Sequence, residues 1–432
     1  MNKFLNTYQQ LFIYVLGLYI YLGKGIAYGF FAEFVLIIGV IFLLIEIKKY
    51  EIVWDIKTKI LALLLFLNIF FIIRGAINNP LLDTIRDSFV INYILYAFII
   101  LLFKDHFLFF FKSICKIYKY YPLVTLVFYL LSLNEYIGSF ELFGPYHLLY
   151  FKFGDMSVHL FIAFILQLTN LNTYDKPYDF INFLIILFLF SVAASFSRGG
   201  MFGFILGFGL FFLFIKDKIL MIRIKNYLKY LFFALIIIIP VLLTIKGEEN
   251  FQGRKAGAAQ VVNNFTSVFV DSEDGNLSDN KVWRLVWWAQ ILDYSFSPPY
   301  FLAGKGLGIS LAADDEILVD TTDDVAELRS PHNFNLTIMA RYGVPIFFLW
   351  VAWLFFNFKR FRSPTLSKLE LLFLCIQVVF LFNASFDVFL EGPMGAFPFW
   401  VFVGVDIACI TIGFYGTLDE SNLFKLDNIV TS

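Results

Sequence analysis

Charge is scarce in this chain. Only 16% of its 432 residues are Asp, Glu, Lys or Arg, whereas 60% are hydrophobic and 20% aromatic. With a mean hydropathy of +0.77, a soluble domain of this length is excluded, because it could not keep so much apolar surface from water. A polytopic membrane protein is expected. Cysteine is nearly absent: Cys115, Cys375 and Cys409 lie in or beside apolar segments, and none falls in the one long hydrophilic stretch, which excludes a disulfide framework. The opening MNKFLNTYQQ runs into an apolar segment without a small-residue cleavage site, so it reads as a first span and not as a removed leader. No inverted or parallel repeat is visible in the sequence, which removes one usual sign of a transporter. The net charge of -1 says little about partners, since in a membrane protein the side on which each charge lies matters more. No nucleic-acid partner is expected.

What is present in abundance is apolar runs. Each crossing of the hydrocarbon needs roughly 20 residues, and candidate segments centre on 8–22, 27–46, 59–74, 88–103, 120–133, 156–170, 180–196, 201–215, 230–245, 334–357, 369–386 and 396–414. The expected fold is therefore all-α, with about twelve transmembrane helices and one large extracytoplasmic loop. If the N-terminus is cytoplasmic, 20 Lys and Arg residues fall on the inner side, while the short outer loops carry Lys24, Arg74, Arg86, Lys152 and Arg198. The positive-inside rule then puts both termini in the cytoplasm and the hydrophilic segment outside. The expected organisation is N-terminal transmembrane helices over 1–180, helices with an SRGG turn over 181–245, and an extracytoplasmic loop over 246–333. C-terminal transmembrane helices over 334–414 and a cytoplasmic tail over 415–432 complete it.

The outer segment 246–333 contains 14 acidic and 7 basic residues, so it is no general trap for anions. Any anion has to be held by particular arginines. An arginine at membrane depth costs several kcal/mol unless it is paired, and three elements put notable polar groups near the outer surface. In SFSRGGMFGF, 195–204, Arg198 stands between two apolar runs, with Gly199 and Gly200 permitting a sharp turn. Gly199, Gly203 and Gly207 offer a small-residue face for another helix. In KVWRLVWWAQILDYSF, 281–296, Val282, Leu285, Val286, Ala289 and Leu292 recur at helical spacing. Trp283, Trp287 and Trp288 favour an interface, so this reads as a helix on the outer leaflet that carries Arg284. In SPHNFNLTIMARYGVPIFFLW, 330–350, Ser330 and Pro331 suit a helix start, with His332 and Asn335 on one face. A free imidazole titrates near pH 6.5 and can take a proton at neutral pH. Together these residues point to an enzyme acting on an anionic, lipid-linked substrate. The plain alternatives are an arginine snorkelling to headgroups, a structural ion pair and a hydrogen-bonded histidine.

Further features are weaker. The run Gly304 to Gly308 has no strand-turn-helix setting, so it reads as a flexible loop and not as a dinucleotide fingerprint. The acidic stretch Asp314 to Glu327 lacks EF-hand spacing and reads as a solvated loop. Asp387 and Glu391, four residues apart in the last outer loop, are reserve candidates for a base, or else cap or pair near a helix end.

The order of these elements resembles the O-antigen ligase and O-antigen polymerase family. The resemblance rests on the span-linking SRGG, the outer loop with an Arg-bearing aromatic helix, Gly304-Lys305-Gly306-Leu307-Gly308, and Pro331-His332-Asn333 leading into a Gly343-centred helix. It covers about residues 190 to 400; the first 180 match only in hydropathy. It implies a bacterial cytoplasmic-membrane glycosyltransferase that works without a metal or other cofactor and uses an undecaprenyl-diphosphate-linked glycan as donor. The acceptor would be lipid A core for a ligase, or another lipid-linked glycan for a polymerase of O-antigen or exopolysaccharide. A chain-length regulator and a flippase are the partners implied, beside membrane lipids. By the same resemblance Arg198 and Arg284 hold the diphosphate and His332 serves the acceptor. Arg341 departs from the family pattern, as a third phosphate contact or half of a structural pair. A transporter or flippase for lipid-linked sugars is the alternative from another class, and would carry charges deep in several spans. A noncatalytic scaffold of a polysaccharide machine is a third.

Overall fold

The apolar runs fold as helices, because backbone N–H and C=O groups in a hydrocarbon environment must be satisfied within their own segment. A computed structural model describes residues 3–46, 53–172, 176–230, 260–261, 264–265, 275–317 and 329–413. The helices are α1 Lys3–Leu22, α2 Phe31–Glu46, α3 Ile56–Asn78, α4 Leu81–Asn92, α5 Leu95–Ile99, α6 Phe107–Ser132, α7 Glu135–Gly138, α8 Phe153–Leu168, α9 Lys176–Phe196 and α10 Arg198–Phe214. They continue with α11 Gly275–Ser295, α12 Tyr300–Ala303, α13 Leu311–Asp314, α14 Phe334–Tyr342, α15 Val344–Phe358, α16 Lys368–Ala384 and α17 Pro393–Thr411. Short 3-10 helices at Gly23–Gly29, Ile100–His106, Lys359–Arg362 and Phe389–Glu391 join some of them. No strand occurs among the described residues.

By length and composition, five described helices can cross a membrane, and six if the pair Leu81–Asn92 and Leu95–Ser132, bent by 55°, is one span. Two shorter apolar helices, Phe153–Leu168 and Arg198–Phe214, accompany them. Most of the expected spans coincide with helices, but two of them are broken. The run at 88–103 passes from α4 through α5 into a 3-10 helix, and the run at 334–357 divides at Gly343, whose φ is 82°. The segment 231–245, the parts 246–259, 262–263, 266–274 and 318–328 of the outer loop, and the tail 415–432 lie outside the described residues.

α17 is apolar all round and buried along nearly its whole length, as suits a helix at the centre of a bundle. α1, α5 and α16 pack around it. The small residues of α10 bring it close to its neighbours. A Cβ on Gly207 would fall 2.3 Å from Val379 of α16 and 2.8 Å from Phe161 of α8, and one on Gly200 would fall 2.7 Å from Ser157 of α8. Gly203 faces Phe382 of α16, whereas Gly199 makes only ordinary contact with Phe386. Gly200 thus serves close packing; the turn is made by Ser197, which caps α10 by accepting from the Gly200 N–H at 3.1 Å.

Large apolar side chains such as Phe4, Leu44, Phe66, Ile77 and Leu213 are exposed on the outer helices. Such a surface fits contact with lipid rather than water. At one end of the bundle, the guanidinium of Arg360 forks onto both oxygens of Asp406, at 2.5 and 2.9 Å, and also binds Glu370 at 2.6 Å. Asp406 is 1% exposed in the middle of an apolar sequence, so its charge depends on that fork.

Candidate functional site

Arg198, Arg284, His332, Asn335 and Asp387, five of the residues singled out in the sequence, lie around the loop between α16 and α17. Arg198 is the first residue of α10 and half-buried. α11 crosses this loop, and Arg284 Nη1 donates to the Phe386 carbonyl at 3.1 Å. Its guanidinium also lies 5.3 Å from the Trp283 ring centre. The buried Arg284 Nε has no hydrogen-bond partner among the described residues, a costly state for a charged donor in a dry setting. Burial lowers the Arg284 pKa; the Asp387 carboxylate opposes this and the like charge of Arg198 adds to it. Asp387 is paired with Lys152. Burial pushes its carboxyl up, but Lys152, His332 and Arg284 hold it below the ordinary range.

His332 does not stand on a helix, contrary to the sequence expectation. The cap is Asn333, whose side chain accepts from the N–H groups of Asn335 and Leu336 at 3.1 and 3.3 Å, so α14 begins at Phe334. His332 precedes the cap with φ of 53°, a left-handed conformation that is uncommon without glycine and that clusters at functional sites. Its ring meets Trp283 edge-on with centroids 5.8 Å apart. Trp288 Nε1 donates to the neighbouring Pro331 carbonyl at 2.8 Å. Burial pushes the imidazole down to about 3, with Asp387 opposing and Arg284, Lys152 and Lys24 contributing further. At neutral pH the ring is therefore uncharged and offers one donor and one acceptor nitrogen. Asn335 bonds to Trp350 Nε1 at 2.9 Å and to the Ser385 hydroxyl at 3.4 Å, which fixes α14 to α15 and α16.

The tryptophans of α11 also differ from expectation. Val282, Leu285, Val286 and Leu292 are exposed, as a leaflet-facing side would be, but Trp287 is fully buried and donates to Asp315 at 2.5 Å. Their role is to hold α11 on the loops beneath it, because a buried indole N–H needs an acceptor. The Gly304 to Gly308 run is likewise tied down, not free. The N–H groups of Lys305 and Gly306 donate to the carbonyls of Ala340 and Arg341 at 2.7 and 3.0 Å, and the Gly308 N–H to Asp87 at 2.9 Å. Asp314 and Asp315, expected in a solvated stretch, both pair with Lys305. The remainder of that stretch, 318–327, is outside the described residues.

Arg341 stands apart from the other candidates. It is 2% exposed, with Nη1 2.7 Å from Asp87 of α4, so of its two open roles the structure shows the ion pair. Glu391 accepts from the Thr337 hydroxyl at 2.9 Å. Burial raises its pKa, and bonds from Ser330 and Thr337 oppose this. Four residues that sequence reasoning passed over join the group around Asp387: Lys24, Lys152, Asp155 and Asn383. Asp155 accepts from Asn383 at 3.2 Å and lies within electrostatic reach of Lys152, Asp387 and Lys24. An available signal was Asp155 itself, a carboxylate in the apolar run FGDMSVHLFIAF, since an acid at such depth needs a partner. Among the described residues no group of His, Cys, Asp or Glu side chains is arranged to hold a metal ion.

The helical joint at Ser197, α11 and the start of α14 all fall in one stretch of sequence. Residues 183–351 match the family model described as O-antigen ligase. Over these residues the chain is similar to the O-antigen ligase family. Neither a curated protein nor a solved structure matches it significantly. The match over residues 183–351 and the apolar helices together support a membrane protein of polysaccharide biosynthesis. Arg198, Arg284, His332 and Arg341 lie within the matched residues, while Lys24, Lys152, Asp155 and Asp387 lie outside them.

Proposed function

We propose that the protein is a glycosyltransferase at the outer face of the bacterial cytoplasmic membrane. It transfers a glycan from undecaprenyl diphosphate to a hydroxyl of a second glycan or of lipid A core. The observation that carries this reading is the convergence of Arg198, Arg284 and His332 beside Asp387, with the Arg284 Nε–H unmatched. A diphosphate oxygen would satisfy that N–H, and two guanidinium forks suit its geometry.

In the reaction, the acceptor oxygen forms a bond to C1 of the donor sugar as the C1–O bond to the diphosphate breaks. The electron pair of that bond leaves on the diphosphate, where the arginines neutralise the growing charge. The acceptor hydroxyl donates its hydrogen bond to the neutral His332 imidazole, which orients it and receives the proton as the new bond forms. Asp387, held ionised by Lys152, sits where it stabilises the imidazolium so formed. The positive-inside distribution puts both termini in the cytoplasm and this site outside.

The test is transfer by purified protein in detergent with donor lipid extracted from host membranes. Arg198→Ala and Arg284→Ala should each reduce the rate on the order of 10²-fold or more, and Arg→Lys should restore little because the planar fork is lost. Wild-type rates in both alanine variants would refute the diphosphate clamp. Glycan sizes in cells lacking the protein separate the two acceptors. Long polymer left on the lipid carrier marks a ligase, and single repeat units mark a polymerase. Orientation is tested with Ser297→Cys, exposed after α11; the three native cysteines are buried and give no background. Labelling of intact spheroplasts by an impermeant thiol reagent supports an outer site, and protection opposes it.

A further inference from the structure

α3 ends at Asn78 beside the loop that carries Gly304 to Gly308, and between them lies a half-open cleft of about 380 Å³. That is room for a small ligand. Arg74, Asn78 and Asn79 line it from the helix end, and Tyr300, Lys305 and Asp314 from the loop. Its walls are tied together: Arg74 Nη1 donates to the Ala303 carbonyl at 2.6 Å, and Asn79 Nδ2 to the Leu307 carbonyl at 2.7 Å. The N–H groups of Lys305 and Gly306 are held in turn by α14, so the cleft is formed before anything binds. It stays open beside the guanidinium, since a Cβ built on Gly306 would meet nothing nearer than Arg74 at 3.8 Å.

Lys305 pairs with both Asp314 and Asp315, and Arg74 meets carbonyls but no carboxylate among the described residues. Two cations thus stand against two carboxylates, and the cleft carries almost no net charge. A phosphate would gain from Arg74 but lose beside Asp314, which lies exposed in the same wall. Sugar hydroxyls suit the cleft better, because each both donates and accepts. The wall supplies N–H donors on Arg74 and the asparagines, a carboxylate acceptor and the face of the Tyr300 ring. We infer that this cleft is a glycan subsite, holding a sugar ring remote from the linkage that is made or broken. Lys305 and Gly306 donate to the carbonyls of Ala340 and Arg341 near the end of α14, whereas His332 precedes its start. A helix of nine residues sets the two apart by about 13 Å along its axis. The ring in the cleft is therefore not the reacting one, and its binding selects the glycan and fixes its register. The inference rests on the transfer reaction proposed above for taking the ligand to be a glycan of that reaction, whether on the donor or on the acceptor.

The experiment measures binding to the full-length protein in a detergent without a sugar headgroup. The probes are the lipid-free glycan released from host membranes by mild acid, undecaprenyl diphosphate, and phosphatidylglycerol as an anionic lipid. The wild type should bind the glycan. Arg74→Met and Asn78→Trp, the second filling the cleft from an exposed position, should each weaken it by about tenfold or more, a change of about 1.4 kcal/mol or more. Undecaprenyl diphosphate should bind both variants as it binds the wild type, which certifies folding. In the transfer assay both variants should raise KM and keep kcat, because the remote contact is the same in the ground and transition states. The substrate whose KM rises is the one whose glycan the cleft holds, and a rise for neither would overturn the subsite. So would absence of glycan binding to the wild type, undiminished binding to both variants, or displacement of the glycan by phosphatidylglycerol, which would make the cleft a headgroup site. A wild type that binds the glycan through this cleft yet transfers none would instead refute the transfer reaction and leave the subsite standing.

Discussion

Arg341 lies in the matched segment near the other arginines in sequence, yet its surroundings predict a structural effect and not a kinetic one. It reaches from α14 to Asp87 on α4, 254 residues away, with Nη1 2.7 Å from Oδ2 and side-chain exposures of 3% and 6%. The same guanidinium nitrogen approaches the Ile309 carbonyl at 3.2 Å, and Asp87 also receives the Gly308 N–H at 2.9 Å. Removing Asp87 takes the carboxylate from the buried Arg341, at a cost of about 3–5 kcal/mol, whereas after Arg341→Met Asp87 still has Arg86 at 3.6 Å and Arg329 at 3.8 Å, so the loss there is smaller. Asp87→Ala should add about 1–3 kcal/mol by orphaning the Gly308 amide, so it should exceed Arg341→Met. The double variant Asp87→Asn with Arg341→Met should lose less than the sum of its single changes, because no charge is then left alone. Denaturant unfolding in mild detergent, with gel filtration to confirm dispersity, reads these differences. If Arg341→Met unfolds like the wild type but loses transfer activity, the residue contacts substrate and the argument fails.

Three further outcomes are expected. His332 titrates near 3 when folded and near 6.5 when free. Between these values the unfolded chain binds more protons, so its contribution is complete above pH 6.5 and lost as pH falls towards 3. At pH 5.5 the loss is up to about 1.4 kcal/mol, and His332→Gln should remove that part of the acid sensitivity; an unchanged slope of stability against pH would refute it. Gly304 has φ of 53°, and a Cβ there would lie 2.5 Å from the Arg341 carbonyl carbon; Gly304→Ala should cost at least about 1–3 kcal/mol, and a wild-type melting point would contradict this. Asp406→Ala should lower stability by about 1.5–3 kcal/mol, because Arg360 loses the fork but keeps Glu370; an unchanged melting point would argue against the fork.

Much of the fold was legible because apolar helices in a membrane satisfy their own backbones, a constraint that acts within single segments. Hydropathy therefore located helices such as α3, α9, α16 and α17 to within a few residues. It could not show that the run 334–357 breaks at Gly343, since that break depends on a positive φ and on the adjoining Phe301–Ala303 backbone. Nor could periodicity show that Trp287 turns inward to Asp315, because the acceptor comes from a separate loop.

The candidate site divides in the same way. Arg198, Arg284 and His332 were legible as a charged and titratable set in an apolar chain, where an arginine is too costly to be incidental. Asp387 was legible as a reserve candidate for a base, but its pairing with Lys152 from 235 residues earlier was not. The sequence by itself determined that this is an all-helical membrane chain with a few polar groups at the ends of its apolar runs, because burial cost acts on each residue type wherever it stands. Only the tertiary structure decided which cation meets which carboxylate: it set Asp87 beside Arg341, Asp406 beside Arg360 and Asp387 beside Lys152, and left the Arg284 Nε–H without a hydrogen-bond partner among the described residues. Pairing falls off with distance in space, and helix packing alone sets that distance.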